Sequence, residues 1–204
     1  MITHISAPCL LIGMPSMLDG NFIKTVLLLA EHNSEGAIGF ILNRPSTVPL
    51  KSMLSLIDRD VPSAIPAWYG GPVDTGTAII LHSRKPATND TDVGQGVYLS
   101  TSGRVLDSLL DESAASLDEI AAGAAPSHNS LNPYRFLVGY AGWSKGQLDD
   151  EIRSGAWALQ PMDRDLVFNT PWAEMWTTVT TRMGLVRTAS NAIMPLVSTS
   201  AYLN

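Results

Sequence analysis

The sharpest chemical motif in the chain is Gly142-Trp143-Ser144-Lys145-Gly146, which matches Gly-x-Ser-x-Gly, the tight strand-to-helix turn that presents a nucleophilic serine in α/β-hydrolases. In that series the acid and the histidine follow the serine, whereas His4, His32, His82 and His128 all precede Ser144. The motif is therefore read as a glycine-flanked turn whose Trp143 packs or contacts a partner, and no catalytic residue is assigned. No two histidines stand three or four residues apart and there is no Cys–His cluster, so neither a metal site nor a cofactor is expected. The nucleotide fingerprints Gly-x-Gly-x-x-Gly and Gly-x-x-x-x-Gly-Lys-Ser/Thr are absent.

Three shorter groups carry the remaining chemistry. Glu31-His32 closes a strand-like run, where adjacent residues point to opposite faces; His32 is either fixed by a loop hydrogen bond or serves as an acid–base or ligand-contacting group. Asn43-Arg44-Pro45 closes the next run: the arginine suits a structural ion pair, or a bound carboxylate or phosphate, and the proline stops further pairing. Gly70-Gly71-Pro72-Val73 reads as a turn needing positive φ, or as backbone N–H groups offered to an anion. With Pro15, Ser16 and Asn21 of the first Gly- and Pro-bounded loop, and with Trp143, these residues (Glu31, His32, Asn43, Arg44, Gly70 and Gly71) form the candidate ligand- or partner-binding set. The physical motive is that irregular loops on a rigid sheet are where exposed polar groups converge. The alternative is a small-molecule enzyme or sensor acting on a phosphorylated or carboxylated ligand at these loops, with His32 or Glu31 as base and Arg44 as anion holder, and it requires the three to share one pocket.

The elements that must position these groups are short runs bounded by Gly or Pro. Strands are expected at 8–13, 25–32, 37–43, 67–69, 77–82, 96–100, 135–141 and 156–159. The runs at 25–32 and 37–43, joined by Asn33-Ser34-Glu35-Gly36, look like an antiparallel hairpin. Helices are expected at 103–122 with Ser102 as cap, at 50–57, at 146–154, and from Pro171 to about Met183 with Thr170 as cap. Six strand signals before any long helix argue against a doubly wound sheet, so the fold class is α+β, a mixed sheet curled toward a barrel with helices on one side. Trp172 and Trp176, four residues apart, are expected to share a core-facing helix face.

The 204 residues suffice for one domain and one core, with no disulfide needed, and Cys9 in the run Cys9-Leu10-Leu11-Ile12 reads as a buried small hydrophobe. A net charge of −6 is the wrong sign for displacing counterions from nucleic acid. Seven acids against one base between Asp90 and Glu119 read as a solvated helix face. The start Met1-Ile2-Thr3-His4 shows no cationic segment followed by an apolar one, and no window is apolar enough to span a bilayer, so a cytoplasmic location is expected.

Taken in order, Gly13-Met14-Pro15-Ser16-Met17, Asn21-Phe22, Glu31-His32-Asn33 with Gly36-Ala37-Ile38-Gly39, Asn43-Arg44-Pro45, Gly70-Gly71-Pro72-Val73, and Gly139-Tyr140-Ala141-Gly142-Trp143 with Gly146-Gln147-Leu148 form a recognisable series. The sequence resembles the YqgE/AlgH family over about residues 7–184, leaving 185–204 as a C-terminal tail. The resemblance implies a single-domain α+β fold with a bifurcated, mostly antiparallel mixed sheet curled into a pseudo-barrel. It implies no established catalytic activity; the AlgH name is attached to transcriptional regulation in alginate production. Two departures stand out: many relatives carry glycine or an acid at Ser144, and some carry cysteine at Ala30, so neither a serine nucleophile nor a redox role transfers to this chain. The expected function is a non-enzymatic cytoplasmic binding or regulatory protein, acting on transcription by an indirect route if at all, with a protein partner or a small anionic ligand and no membrane contact; direct nucleic-acid binding is the lesser alternative, which the charge argues against.

Overall fold

A computed structural model describes residues 5–47, 50–53, 66–111 and 133–185. Nine strands are numbered in chain order: β1 Cys9–Gly13, β2 Val26–Asn33, β3 Gly36–Ile41, β4 Ala67–Tyr69, β5 Val73–His82, β6 Thr91–Asp92, β7 Tyr98–Ser100, β8 Tyr134–Ser144 and β9 Trp157–Gln160. The helices are α1 Leu50–Met53, α2 over residues 103–111, α3 Gln147–Arg153, α4 Arg164–Asn169 and α5 Trp172–Arg182. The sheet order is β6-β7-β5-β8-β3-β2-β1-β9, with β4 pairing β8 in parallel and every other pair antiparallel.

β8 is the hub, because β3 pairs with its C-terminal half and β4 and β5 with its N-terminal half. The sheet forks there into a first wing, β3-β2-β1-β9, and a second wing of β4, β5, β7 and β6. At the fork the backbone of Gly70-Gly71 crosses β8 too closely for side chains. A Cβ on Gly71 would lie 2.2 Å from the Tyr140 carbonyl carbon, and Gly139 sits at φ +68° against Gly71 O. The double glycine thus serves a backbone crossing. Its Gly70 N–H already donates to Val138 O, and Gly70 O accepts from Ile41 N, so that N–H is not offered to an anion.

Leu10–Ile12 and Val26–Leu29 are buried on both sides, which is why these strands read as apolar runs rather than as alternating patterns. One face of the first wing (Leu10, Ile12, Val26, Leu28, Phe40) packs against Leu81 and Leu99 of the second wing and against α4 and α5. The opposite face (Leu11, Leu27, Leu29, Ile41) closes around Trp143, Trp157 and Leu148 of α3. The far side of the second wing meets α1 and α2 through Leu50, Leu106, Leu109 and Leu110. Helices therefore cover several faces and not one side as expected, because a forked sheet exposes more than one apolar face.

Other corrections are local. β8 continues through Ser144, which pairs with Gly36, so the Gly-x-Ser-x-Gly run is mostly strand and only Lys145-Gly146 turns. α4 was not expected: it has only six residues, and Asp163 caps it by accepting from Leu166 N at 2.9 Å. Thr170 consequently ends α4, and Pro171, not Thr170, is the N-cap of α5. The two-residue strand β6 gave no sequence signal. The expected helices at 103–122 and 50–57 are present over 103–111 and 50–53; their remainders, with His128, lie outside the described residues.

Candidate functional site

The β2–β3 hairpin carries a candidate group at each end. At its open end Asn43 is buried and fully used: Oδ1 accepts from Val26 N at 3.0 Å and Nδ2 donates to Lys24 O at 2.9 Å. Arg44 Nη2 donates to Gly20 O and Ile23 O at 3.3 and 3.0 Å, holding the 14–24 loop. Among the described residues it makes no ion pair; the guanidinium caps backbone carbonyls. Pro15, Ser16 and Asn21 lie exposed in that same loop, tied to this end through Gly13 N to Thr25 O and Met14 N to Ala156 O.

Glu31 and His32 sit at the other end, next to the turn. Leu27 pairs with Ile41 and His32 with Ala37, which puts His32 and Arg44 roughly 20 Å apart at a strand rise of about 3.3 Å per residue. Glu31, His32 and Arg44 do not share one pocket, so the base-plus-anion-holder arrangement is not formed.

A β-bulge builds the turn end. Leu29 pairs with Gly39, but the next pair is Glu31 with Ile38, leaving Ala30 as the extra residue. Without it, alternation from Leu27 and Leu29 would aim Glu31 into the Trp143 core; with it, Ala30 and Glu31 both join the face of Ile38 and Phe40. His32 turns to the other face, where Nε2 lies 3.1 Å from Asp149 Oδ2 on α3. Gly39 is required beside the bulge, since a Cβ there would lie 2.8 Å from the Leu28 carbonyl oxygen.

On the Glu31 face the two wings diverge and leave a cleft of about 380 Å³. Ala30, Phe40, Ile79 and Leu99 make its apolar floor; Asn89, Thr91 and Thr101 of the second wing make a polar wall opposite Glu31 and Ile38. Among the described residues Glu31 is the one charged residue lining it. A smaller cavity of about 280 Å³ adjoins it, sharing Glu31 and Ile38 and continuing past Glu35 to the hairpin turn and Trp143. Both volumes are near the lower end of small-molecule sites, about 300–1,000 Å³. Glu31 Oε1 accepts from Asn33 Nδ2 at 2.6 Å, and its other oxygen has no partner among the described residues.

Trp143 lines the adjoining cavity together with Glu31 but not the cleft itself. Its ring is buried, and its Nε1 and that of Trp157 donate to the same oxygen, Glu151 Oε2, at 2.9 and 2.8 Å, while Phe22 stacks against it. Gln147 Nε2 holds the other Glu151 oxygen. Glu151 was missed in the sequence, although Gln147 and Glu151 at i, i+4 between two tryptophans was a readable signal. Trp176 is buried, with Nε1 donating to Gly13 O at 2.7 Å, but Trp172, the first helical residue, stays exposed rather than joining the core.

The remaining buried polar groups serve structure. Arg135 donates to Leu42 O and Val167 O and lies 4.3 Å from the Trp68 ring; burial pulls its guanidinium down to about 10. His82, fully buried and 3.2 Å from Asp90, has its pKa lowered by burial, against the opposing pull of Asp90. Burial pushes the Cys9 thiol up to about 11, as befits a packing residue. Among the described residues no group of three or more His, Cys, Asp or Glu is placed to hold a metal ion, and no helix is long and apolar enough to cross a membrane.

The AlgH-like family model, DUF179, matches residues 10–187. A UPF0301 protein of Thioalkalivibrio sulfidiphilus is 34% identical over 179 residues, 86% of this chain and 88% of its own length. A UPF0301 protein of Pseudomonas fluorescens is 37% identical over 166 residues, 79% of each chain. The solution structure of AlgH from Pseudomonas aeruginosa superposes with a TM-score of 0.65 at 33% identity, covering 89% of this chain and 93% of that one. A crystal structure of a protein from Corynebacterium diphtheriae, at 21% identity and a TM-score of 0.64, shares the fold. The forked sheet and the motif series of the sequence are thus those of one family, and the chain belongs to it: it is a member of the AlgH-like (YqgE/AlgH) family.

Proposed function

We propose that this protein is a non-enzymatic binding protein of the cytoplasm that takes a small molecule in the cleft between the two wings and acts as a regulator through it, reaching transcription, if at all, indirectly. The observation that carries this reading is the cleft itself: an apolar floor from both wings, a polar wall and a lone carboxylate, set at a bulge that re-aims Glu31 out of the core. A ligand bridging the wings would bias their separation, which gives binding a route to the outer surface of the sheet.

The reading is tested by ligand-dependent melting against a broad panel of amines, carboxylates, phosphorylated metabolites, nucleotides and neutral metabolites. A ligand at 100 times its Kd stabilises by about 2.7 kcal/mol, a rise of several degrees at this size. The expected result is at least one class of hit that Thr91→Trp, placed on the cleft wall, abolishes and that Arg44→Ala leaves intact. Hits lost in Arg44→Ala and kept in Thr91→Trp would move the site to the open end of the hairpin. Silence across the panel, with a protein retained on co-purification, would replace the small ligand by a protein partner.

A further inference from the structure

We infer that His82 is an acid-sensitive latch: a proton taken up at its Nδ1 ejects the backbone N–H of Arg84, frees the loop of residues 84–90, and loosens the cleft wall at Asn89 and Thr91, on either side of Asp90. The latch stands on its own geometry. Its consequence for binding rests on the cleft being the site and deepens that reading by naming a regulation of it.

The structural role of the His82–Asp90 pair is conditional on pH because the pair holds the loop by its backbone. His82 closes β5 with its side chain fully buried, and the side chain of Asp90 is 1% exposed. The ring accepts the Arg84 N–H at Nδ1 (3.3 Å), and the carboxylate accepts the Ala87 N–H at Oδ2 (2.7 Å), with Asp90 N donating back to Ala87 O at 3.1 Å. Ser83 is held separately, by Pro133 O and Arg164, so release begins at Arg84. A neutral imidazole carries one proton; with Nδ1 accepting, that proton is on Nε2, 3.2 Å from Asp90 Oδ2. This contact lacks the alignment of a hydrogen bond, and Asp90 Oδ1 has no hydrogen-bond partner among the described residues. The imidazolium has two donors and no acceptor, so a second proton can arrive only where the Arg84 N–H now points. Two donors facing each other in a buried site leave the amide unsatisfied and the charge desolvated. The ring is therefore protonated as the loop leaves.

The surroundings give the same sign. Burial disfavours the charged ring, Asp90 favours it and Arg84 opposes it; burial wins, so the closed loop holds the imidazole below its ordinary pKa. Tyr98 of β7 and Tyr134 of β8, the register partners of His82, bring phenols rather than charges, and Asp92 stands beyond Tyr98 on β6. From α2, reached by Arg84 Nη1 through Ser108 Oγ at 2.8 Å, the charged residues are Arg104, Asp107 and Asp111. Closure is fully favoured above about pH 6.5, the ordinary imidazole value that the open loop restores, and weakens about tenfold per pH unit below it until the closed ring itself titrates.

Amide hydrogen exchange of the full chain, followed by NMR at roughly pH 7.5 and pH 5.5 and corrected for the intrinsic pH dependence of exchange, reads the latch without any ligand. Protection at Arg84 and Ala87 should fall about tenfold over that range, while Phe22 and Ile23, in the loop at the open end of the hairpin, keep theirs. His82→Asn puts an amide oxygen near the position of Nδ1 and cannot titrate, so in this variant protection at Arg84 and Ala87 should not change with pH. The nitrogen shifts of the imidazole give a second readout in the parent chain, whether or not that variant folds. His82 should be the Nε2–H tautomer at neutral pH and should take up its second proton as the Arg84 amide loses protection. Protection at Arg84 that ignores pH, a pH dependence that survives in His82→Asn, or an Nδ1–H tautomer at neutral pH would each overturn the latch. All of these outcomes concern the loop alone, whereas the ligand panel and Thr91→Trp decide the cleft, so the two readings fail separately.

Discussion

The two ends of the β2–β3 hairpin start from similar material, a polar residue beside a charged one at a strand end, and put it to opposite uses. At the open end, Asn43 and Arg44 direct their donors and acceptors into backbone: Val26 N, Lys24 O, Gly20 O and Ile23 O. At the turn end, Glu31 keeps an oxygen free over an apolar cleft. The difference arises from register. The open end follows regular pairing, so Asn43 falls beside the β2 backbone, whereas one extra residue at Ala30 rotates Glu31 out of the core. Polar residues at strand ends are therefore not a site by type; what they do depends on whether the neighbouring backbone has unmet hydrogen bonds.

The largest expected effect comes where the two regions are joined. Glu151 accepts from the indole of Trp143, which pairs across from Ala37 near the turn end, and from that of Trp157, which pairs with Gly13 at the open end. Glu151→Leu leaves two buried N–H donors unsatisfied and should cost about 3 kcal/mol, seen in urea unfolding followed by tryptophan fluorescence. An effect under about 1 kcal/mol would mean that the indoles find other acceptors. Next is Asn43→Ala, which strands Val26 N in a buried site and should cost about 2 kcal/mol. Cys9 supplies an independent readout: with its thiol pushed up to about 11 and buried, it should resist alkylation at pH 8 in the native protein and react in the Asn43 variant at a rate set by how often that variant opens.

Much of the fold was legible because the signals were local. Val26–Leu29 and Ile41 announce strands by composition, and Asn33–Gly36 by turn chemistry, so the hairpin could be read directly. Ends were harder: β5 begins at Val73 rather than Thr77, because Val73 pairs with Tyr140 across an irregular stretch whose Asp74 has φ +48°. α4 is too short for a periodic pattern, and β6 has two residues. For the candidate residues the sequence shows their place in the chain but not which of them meet. Nothing in the sequence marks Ala30 as a bulge, and without the bulge the faces of Glu31 and His32 are exchanged. Likewise Thr91, Thr101 and Asn89 are unremarkable polar residues until the fork in β8 brings the second wing opposite Glu31. Contacts between wings are fixed by the Gly70-Gly71 crossing, a tertiary event with a local sequence trace but no local information about its partners.

A smaller effect tests the open end as a purely structural device. Arg44→Ala removes two hydrogen bonds from a half-exposed guanidinium to carbonyls that water can reach, so a loss of about 1 kcal/mol is expected. The loop it holds should loosen, measurable as faster amide exchange at Phe22 and Ile23, whose N–H groups close on Asp19 O. Binding in the cleft should be unaffected; a ligand lost in this variant would reverse the assignment of roles to the two ends.

The smallest expected stability effect is at Glu31 itself. The carboxylate is exposed, accepts from Asn33 two residues away, and makes no cross-element bond among the described residues, so Glu31→Gln should stay within about 0.5 kcal/mol of the parent in urea. Glutamine keeps the length and the acceptor for Asn33 and removes only the charge, so folding and recognition can be separated at one atom pair. If Glu31 instead proved as costly to replace as Asn43, its charge would be answering some need of the fold. The cleft would then have to find its specificity in the polar wall of Asn89, Thr91 and Thr101 alone. A neutral Glu31 variant that folds like the parent leaves the bulge with no stabilising purpose at that side chain, and a feature that interrupts strand pairing without stabilising the fold there is what a recognition site on a rigid sheet requires.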